Sequence, residues 1–406
     1  MKKKVLKILA RCGIVIGALI AAAALAFYLL VIAGLSPKLQ TIWVCSAMRT
    51  MSHQYLATNF IPMDTIQRIM EENAVDDSGY DSEILTFDTE ETETESEIPP
   101  ETEKKTETVH ESETEAAETE AESEETGTEP SETETETEPE TIPDETESEP
   151  ETTKETPDTD PYIEEGYDIL EEGLYVKQVS GLTWRGYVML IQDPLRVKLV
   201  DTSQQFSCGE NVMTMVTNSG AVAGINGGGF QDGANYDSNG GMPAGLLIED
   251  SKLVYPYTAD DSTVYNMIGI NTNGALLLRH CTSQWALDNG IVSAVSFSPF
   301  LVVNGEGLIK NGTGGWGIAP RTAIGQRKTG EFLFLVIDGR QVDWSIGCDL
   351  DVLQQVMLDE GAYNAAMLDG GSSTAMVYDG NYINRPSLGH ERWINNCFVV
   401  TEAEES

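Results

Sequence analysis

The chain has 406 residues, with 24 basic side chains against 67 acidic ones and a formal net charge of −43. A surface so acidic repels phosphate backbones, which excludes nucleic acid as a partner. The length allows one sizeable domain with further segments beside it.

Residues 1–40 read as a basic flank and a membrane anchor. Lys2, Lys3, Lys4, Lys7 and Arg11 precede an uncharged apolar run from Cys12 to Leu35. About 20 such residues suffice to cross a bilayer. The position of the basic flank predicts a cytoplasmic N terminus, a single pass through the cell membrane at 12–35, and an extracellular remainder. A cleavable signal peptide is the alternative, although its apolar region is normally shorter.

Residues 41–80 form a juxtamembrane piece. Trp43, Met48, Met51, Leu56, Phe60, Ile66 and Ile69 recur at spacings that suit one or two short amphipathic helices, divided near Pro62 and Asp64. Packing near the membrane is the expected role, and binding a partner is the other.

From 81 to 161 the chain is nearly all Glu, Thr, Ser and Pro, and carries about 30 of the net negative charges. Such a composition buries too little apolar area to offset its ordering entropy. It reads as a disordered, low-complexity stalk. An acidic binding tail and a metal buffer are the competing readings, and neither has a specific spacing in its support.

Residues 162–406 supply the domain. Strands are expected at 173–179, 184–192, 195–201, 221–226 and 397–401. Hairpin turns are expected at Glu249-Asp250, Asn273-Gly274, Asn304-Gly305 and Asp379-Gly380. Gly209–Asn218 and Leu350–Glu360 are the helix candidates. The expected class is α+β, a mixed β-sheet with few helices. Cys208, Cys281, Cys348 and Cys397 permit two disulfides in three connectivities, or four buried thiols.

Three apolar runs end in a polar residue followed by glycine: at Asn226-Gly227-Gly228, at Asp338-Gly339-Arg340 and at Asp369-Gly370-Gly371-Ser372-Ser373. Glycine lets the chain turn sharply and lets a ligand approach the backbone. The three ends are therefore expected around a common cleft. The Gly370–Ser373 loop has backbone N–H groups that an anion can use. Asp338 is either tied down by amides or used chemically. Arg321, after the glycine-rich loop that holds Trp316, suits a two-pronged bond to phosphate or a salt bridge. Trp316 either stacks on a sugar or anchors its loop. His280 and His390 are the domain's histidines, and no Gly-x-Ser-x-Gly elbow, P-loop or paired-histidine motif is present. A histidine-assisted serine hydrolase is disfavoured, so the acid–base groups are carboxylates.

Ile225-Asn226-Gly227-Gly228, Pro320-Arg321-Thr322-Ala323, Leu335 to Arg340, Leu368 to Thr374, and Glu391-Arg392 through Asn395-Asn396 occur in this order. Together they resemble the phosphodiester glycosidase family, whose bacterial members are often labelled exopolysaccharide biosynthesis proteins. The resemblance covers roughly 165–402 and implies hydrolysis of the C1–O bond of a sugar-1-phosphodiester in a cell-envelope glycan. It implies that Asp338 and Asp369 position the sugar and act as base or nucleophile. Phosphate would be held by Arg321 with Gly370, Gly371, Ser372 and Ser373, and a sugar hydroxyl would be oriented by Asn226. Gly227, Gly228, Gly339, Arg392 and Asn395 complete the expected substrate site. No cofactor is expected, although a divalent cation such as calcium is compatible. A non-catalytic glycan-binding protein and a metal-dependent phosphodiesterase are the alternatives.

Overall fold

The structure, a computed structural model, describes residues 2–49, 53–87, 160–232, 238–310 and 312–403. The expected stalk falls almost wholly outside these residues. Residues 81–87, grouped with it on composition, lie against the sheet domain, with Leu85 buried in one of its apolar clusters.

Lys2–Phe27 is α-helical and continues through the π-helical turn Tyr28–Ile32. This helix is long and apolar enough to cross a membrane. Three further helices follow, Pro37–Arg49, Tyr55–Thr58 and Met63–Glu72, where one or two were expected. They pack around Val44, Cys45, Ala57, Ile61, Ile66 and Ile69. Pro62 ends the loop before the third because its fixed φ suits a helix entry and its missing N–H costs nothing there.

Among its described residues the sheet domain has only short α-helices: Pro161–Glu164, Val212–Asn218, Ser283–Asp288 and Leu350–Asp359. Asn211, Thr282 and Asp349 cap the last three by accepting from backbone N–H groups. Among the described residues every strand pairing within the sheets is antiparallel, which corrects the expected mixed sheet. All four expected hairpins form. Asn304-Gly305 and Asp379-Gly380 place both central residues at positive φ, as a two-residue turn matched to strand twist requires. All six cysteines are free.

One eight-stranded and two five-stranded sheets share the core. In the largest sheet, Arg321–Arg327 lies between Phe332–Ile337 and Ala362–Met367 and is antiparallel to both. Its two neighbours therefore run in the same direction and end where Arg321–Arg327 begins. Asp338 and Asp369 follow those two ends. Ala223–Asn226, from a five-stranded sheet, reaches the same place, because Thr322 Oγ1 donates to Asn226 Oδ1 at 2.7 Å. The expected convergence of three strand ends is what the topology builds.

Candidate active site

Convergence of backbone ends leaves open which side chains face a substrate. Asp338 is 1 % exposed and accepts four hydrogen bonds. Trp344 Nε1 donates to it at 2.8 Å, Asn384 Nδ2 at 2.9 Å, and the Arg385 N–H at 3.0 and 3.2 Å to its two oxygens. Burial raises its pKa, and those donors pull it back. Such a carboxylate ties the 338–344 and 384–385 segments together. Both of its oxygens are engaged by these donors, the first of the two readings the sequence left open.

Asn226 is also enclosed. Its Nδ2 donates to the main-chain carbonyl of Asp369 at 2.6 Å, and its Oδ1 accepts from Thr322 Oγ1 and from the Ala375 N–H at 3.1 Å. It holds the backbone of the Asp369 loop. Arg321 is 3 % exposed, with Nη2 donating to the carbonyls of Trp316 and Gly317 and Nε to that of Cys348. Burial pushes its pKa down to about 10. It braces the glycine-rich loop through these carbonyls. Trp316 anchors that loop, with the guanidiniums of Arg49 and Arg321 4.5 and 5.7 Å from its ring centre. Asn395 donates to the Gly241 carbonyl and accepts from Asn396.

The glycines are close-packing positions. A Cβ at Gly227 would stand 2.2 Å from Asn396 Oδ1, one at Gly228 2.8 Å from Val295 Cβ, and one at Gly339 2.7 Å from the Pro320 nitrogen. In the Gly370–Ser373 loop, the Gly370 N–H donates to Asp369 Oδ1, the Gly371 N–H to Pro320 O, and the Ser373 N–H to Gly370 O. Three of the four N–H groups expected to receive an anion are therefore already engaged.

Asp369 is different. It retains partial exposure, and its pKa is pushed up to about 6, chiefly by desolvation. The Ser373 hydroxyl, the Gly370 N–H and the Arg392 charge oppose that rise, while the Asp232 charge adds to it. Arg392 pairs with Asp232 and lies 4.7 Å over the Phe230 ring. Arg340 completes the group: a Cβ at Gly371 would stand 3.1 Å from its Nη2, and burial pushes its pKa down while the Asp369 charge opposes that fall. One titrating carboxylate, a second acid, two guanidiniums and two serine residues thus cluster at one loop. Trp393, 54 % exposed, adjoins them.

Asp232 and Arg340 were not among the expected site residues. The signal for Arg340 was its place directly after Asp338-Gly339, at the end of a fully buried strand. Asp232 had no comparable mark. His280 is structural: its ring lies 3.5 Å from Asp77, and its N–H donates to Asp81. His390 is exposed. Among the described residues no group of three or more His, Cys, Asp or Glu is arranged to hold a metal ion. A cavity of about 340 Å³ lies elsewhere, between Val179–Trp184 and the helix Leu350–Asp359. Its lining includes no cation, so it does not suit a phosphodiester.

Residues 219–401 match the family model described as phosphodiester glycosidase. The chain is 28 % identical over 244 residues to the SPbeta prophage-derived protein YomE of Bacillus subtilis (strain 168), covering 57 % of this chain and 36 % of that one. It is 26 % identical over 174 residues to the N-acetylglucosamine-1-phosphodiester alpha-N-acetylglucosaminidase of Homo sapiens, covering 39 % and 33 %. The chain thus spans about a third of the length of these relatives. Among solved structures, the zebrafish N-acetylglucosamine-1-phosphodiester alpha-N-acetylglucosaminidase catalytic domain, auto-inhibited by its pro-peptide, aligns at 25 % identity with a TM-score of 0.47. That alignment covers 57 % of this chain and 82 % of the zebrafish one.

Proposed function

We infer, from the match of residues 219–401 to the phosphodiester glycosidase family model, that this protein hydrolyses a sugar-1-phosphodiester at the glycosidic C1–O bond. The observation that carries the reading is the cluster at Asp369, where one perturbed carboxylate stands among Arg340, Arg392 and Asp232. The bond between C1 and the phosphate oxygen breaks, and its electron pair leaves with the phosphomonoester. Water supplies the new hydroxyl at C1. The transition state carries positive charge on the sugar and growing negative charge on the leaving phosphate. Asp369 serves the sugar side as base or nucleophile, and Arg340 and Arg392 serve the phosphate side. A phosphomonoester leaves readily, so a strong general acid is not needed. That accounts for a site built without histidine. Asp232 pairs with Arg392 and holds its guanidinium in place.

The apolar helix anchors the chain in this reading, and its basic flank stays in the cytoplasm. The substrate is then a phosphodiester-linked glycan of the cell envelope or an exopolysaccharide. The test is incubation of the purified protein with an N-acetylglucosamine-1-phosphate diester in isotopically labelled water. Free sugar labelled at C1, with an unlabelled phosphomonoester, supports the glycosidase. Release of sugar-1-phosphate overturns it in favour of P–O cleavage, and binding without turnover leaves a glycan-binding protein.

A further inference from the structure

We propose that residues 37–49 and 53–87 are a structural part of the sheet domain, so that the chain has already joined that domain at Phe87, before the acidic tract, and the tract does not separate the domain from the apolar helix. Three contact zones carry this.

The first joins the apolar helix to the sheet domain. Phe27 and Trp43 stack edge to face at 4.8 Å, and Gln40 Nε2 donates to Val31 O. From the same helix, Pro37–Arg49, Arg49 Nε donates to Gly315 O at 3.2 Å and the Ile318 N–H donates to Ser46 Oγ at 3.0 Å. A Cβ at Gly317 would stand 2.3 Å from the Ser46 nitrogen, so the two backbones are in direct contact.

The second zone is a strap. The Phe300 N–H donates to Asp77 at 2.9 Å, and the Leu278 N–H donates to Ser82 Oγ at 2.9 Å while the Ser82 N–H returns to Leu278 O. Leu85 is 5 % exposed beneath it. These donors sit in the interior, so the strap answers polar groups that no solvent reaches.

The third zone is where the tract begins and ends. Phe87 lies over Gly330: a Cβ there would meet its ring at 3.1 Å. On the other side, Tyr162 Oη donates to Glu331 at 2.9 Å and Tyr175 Oη to Asp160 at 2.8 Å. Gly330 and Glu331 are consecutive residues of one turn, between Arg321–Arg327 and Phe332–Ile337. Residues on both sides of the tract therefore meet the domain at the same turn. Lengthening or cutting the tract then cannot move the domain away from the helix.

The experiment uses the full chain in detergent, with an affinity tag before Met1 and a specific protease site inserted after Gly127. After cleavage and capture in high salt, the C-terminal fragment stays with the tagged fragment, at a bound-to-free ratio of about 10 or more. Its release into the flow-through overturns the proposal. Asp77→Ala with Leu85→Asp, in the cut protein, shifts that ratio toward free by about tenfold. Retention unchanged by these substitutions equally overturns it, because the strap would not be what holds the fragments.

Discussion

Asn226 and Asp369 are joined by a 2.6 Å hydrogen bond from the side-chain amide of the first to the main-chain carbonyl of the second. The bond spans two sheets and fixes the backbone immediately before the Gly370–Ser373 loop. The other end of the Asn226 amide is occupied by Thr322 and Ala375. Asn226→Ala therefore strands a buried carbonyl, a hydroxyl and an N–H together. Each unmet group costs about 1–3 kcal/mol, so a loss of roughly 2–4 kcal/mol is expected in urea unfolding after partial relaxation. Turnover falls as well, because the Asp369 loop loses its tether. A variant as stable as the parent would show that the bond contributes nothing.

Asp369→Asn and Asp338→Asn are expected to divide activity from stability. Asparagine at 369 removes the working carboxylate and lowers kcat/KM by about 10²–10⁴. It does not unfold the protein, since burial already favours the uncharged form there. The native pKa near 6 lies above the unfolded value of 3.8. The stability linked to this proton is complete below about pH 4 and is lost as pH rises through 6, so the variant gains stability at pH 8. Activity of the parent, if Asp369 is base or nucleophile, rises through about pH 6. Asparagine at 338 turns an acceptor of four hydrogen bonds into a group with two donors of its own, and about 2–4 kcal/mol is lost. Per folded molecule, its turnover stays within about tenfold of the parent. A reversed pattern, with Asp338 the silent position for stability, would remove Asp369 from the centre of the site.

These two aspartates mark where sequence stopped being informative. Both follow a buried apolar strand, and both precede glycine, so both ends were readable as functional. The topology placed them as expected, because Arg321–Arg327 is flanked by both strands. The hairpins were readable for the same local reason: Asn304-Gly305 and Asp379-Gly380 announce positive φ without help from the rest of the chain. The donors that engage Asp338 come from Trp344, Asn384 and Arg385, and nothing near 338 signals the two residues from the 380s. Arg321 looked like a phosphate ligand by the same logic, and its Nη2 donates to the Trp316 and Gly317 carbonyls. Asp232 acquires meaning only through Arg392, which lies far along the chain. Local turn chemistry is legible; the choice among polar groups at one sheet end is a tertiary decision.

Arg340 is held at a φ of 62°, a left-handed conformation that side chains other than glycine rarely adopt. Strain of this kind persists where the surroundings impose it, and here the guanidinium is carried toward Gly371. Arg340→Gly is expected to be neutral or stabilising, by up to about 1 kcal/mol, because glycine relaxes the backbone. Its kcat/KM falls by about 10- to 100-fold as the cation on the phosphate side is lost. Arg340→Gln loses activity without the gain in stability. Thermal unfolding and steady-state kinetics on both variants check this. Full activity in Arg340→Gly removes the guanidinium from the mechanism.

Asp201 tests burial away from the proposed chemistry. It is 7 % exposed, and its pKa is pushed up to about 7, first by desolvation and then by the charges of Glu249 and Glu210. The Thr202 backbone and Gln205 only partly relieve this. The native state keeps the proton until about pH 7, whereas the unfolded chain releases it near 3.8. Stability from this group is therefore complete below about pH 4 and is lost progressively as pH rises through 7, by at most about 4 kcal/mol. Asp201→Asn removes the titration and keeps the shape. At pH 8 it raises the melting temperature, at pH 4 it changes little, and the slope between them flattens. Glu391, also pushed up to about 7 by burial, leaves a residual slope of the same sign. An equal shift at both pH values would mean that packing, not the buried charge, sets the effect of the substitution.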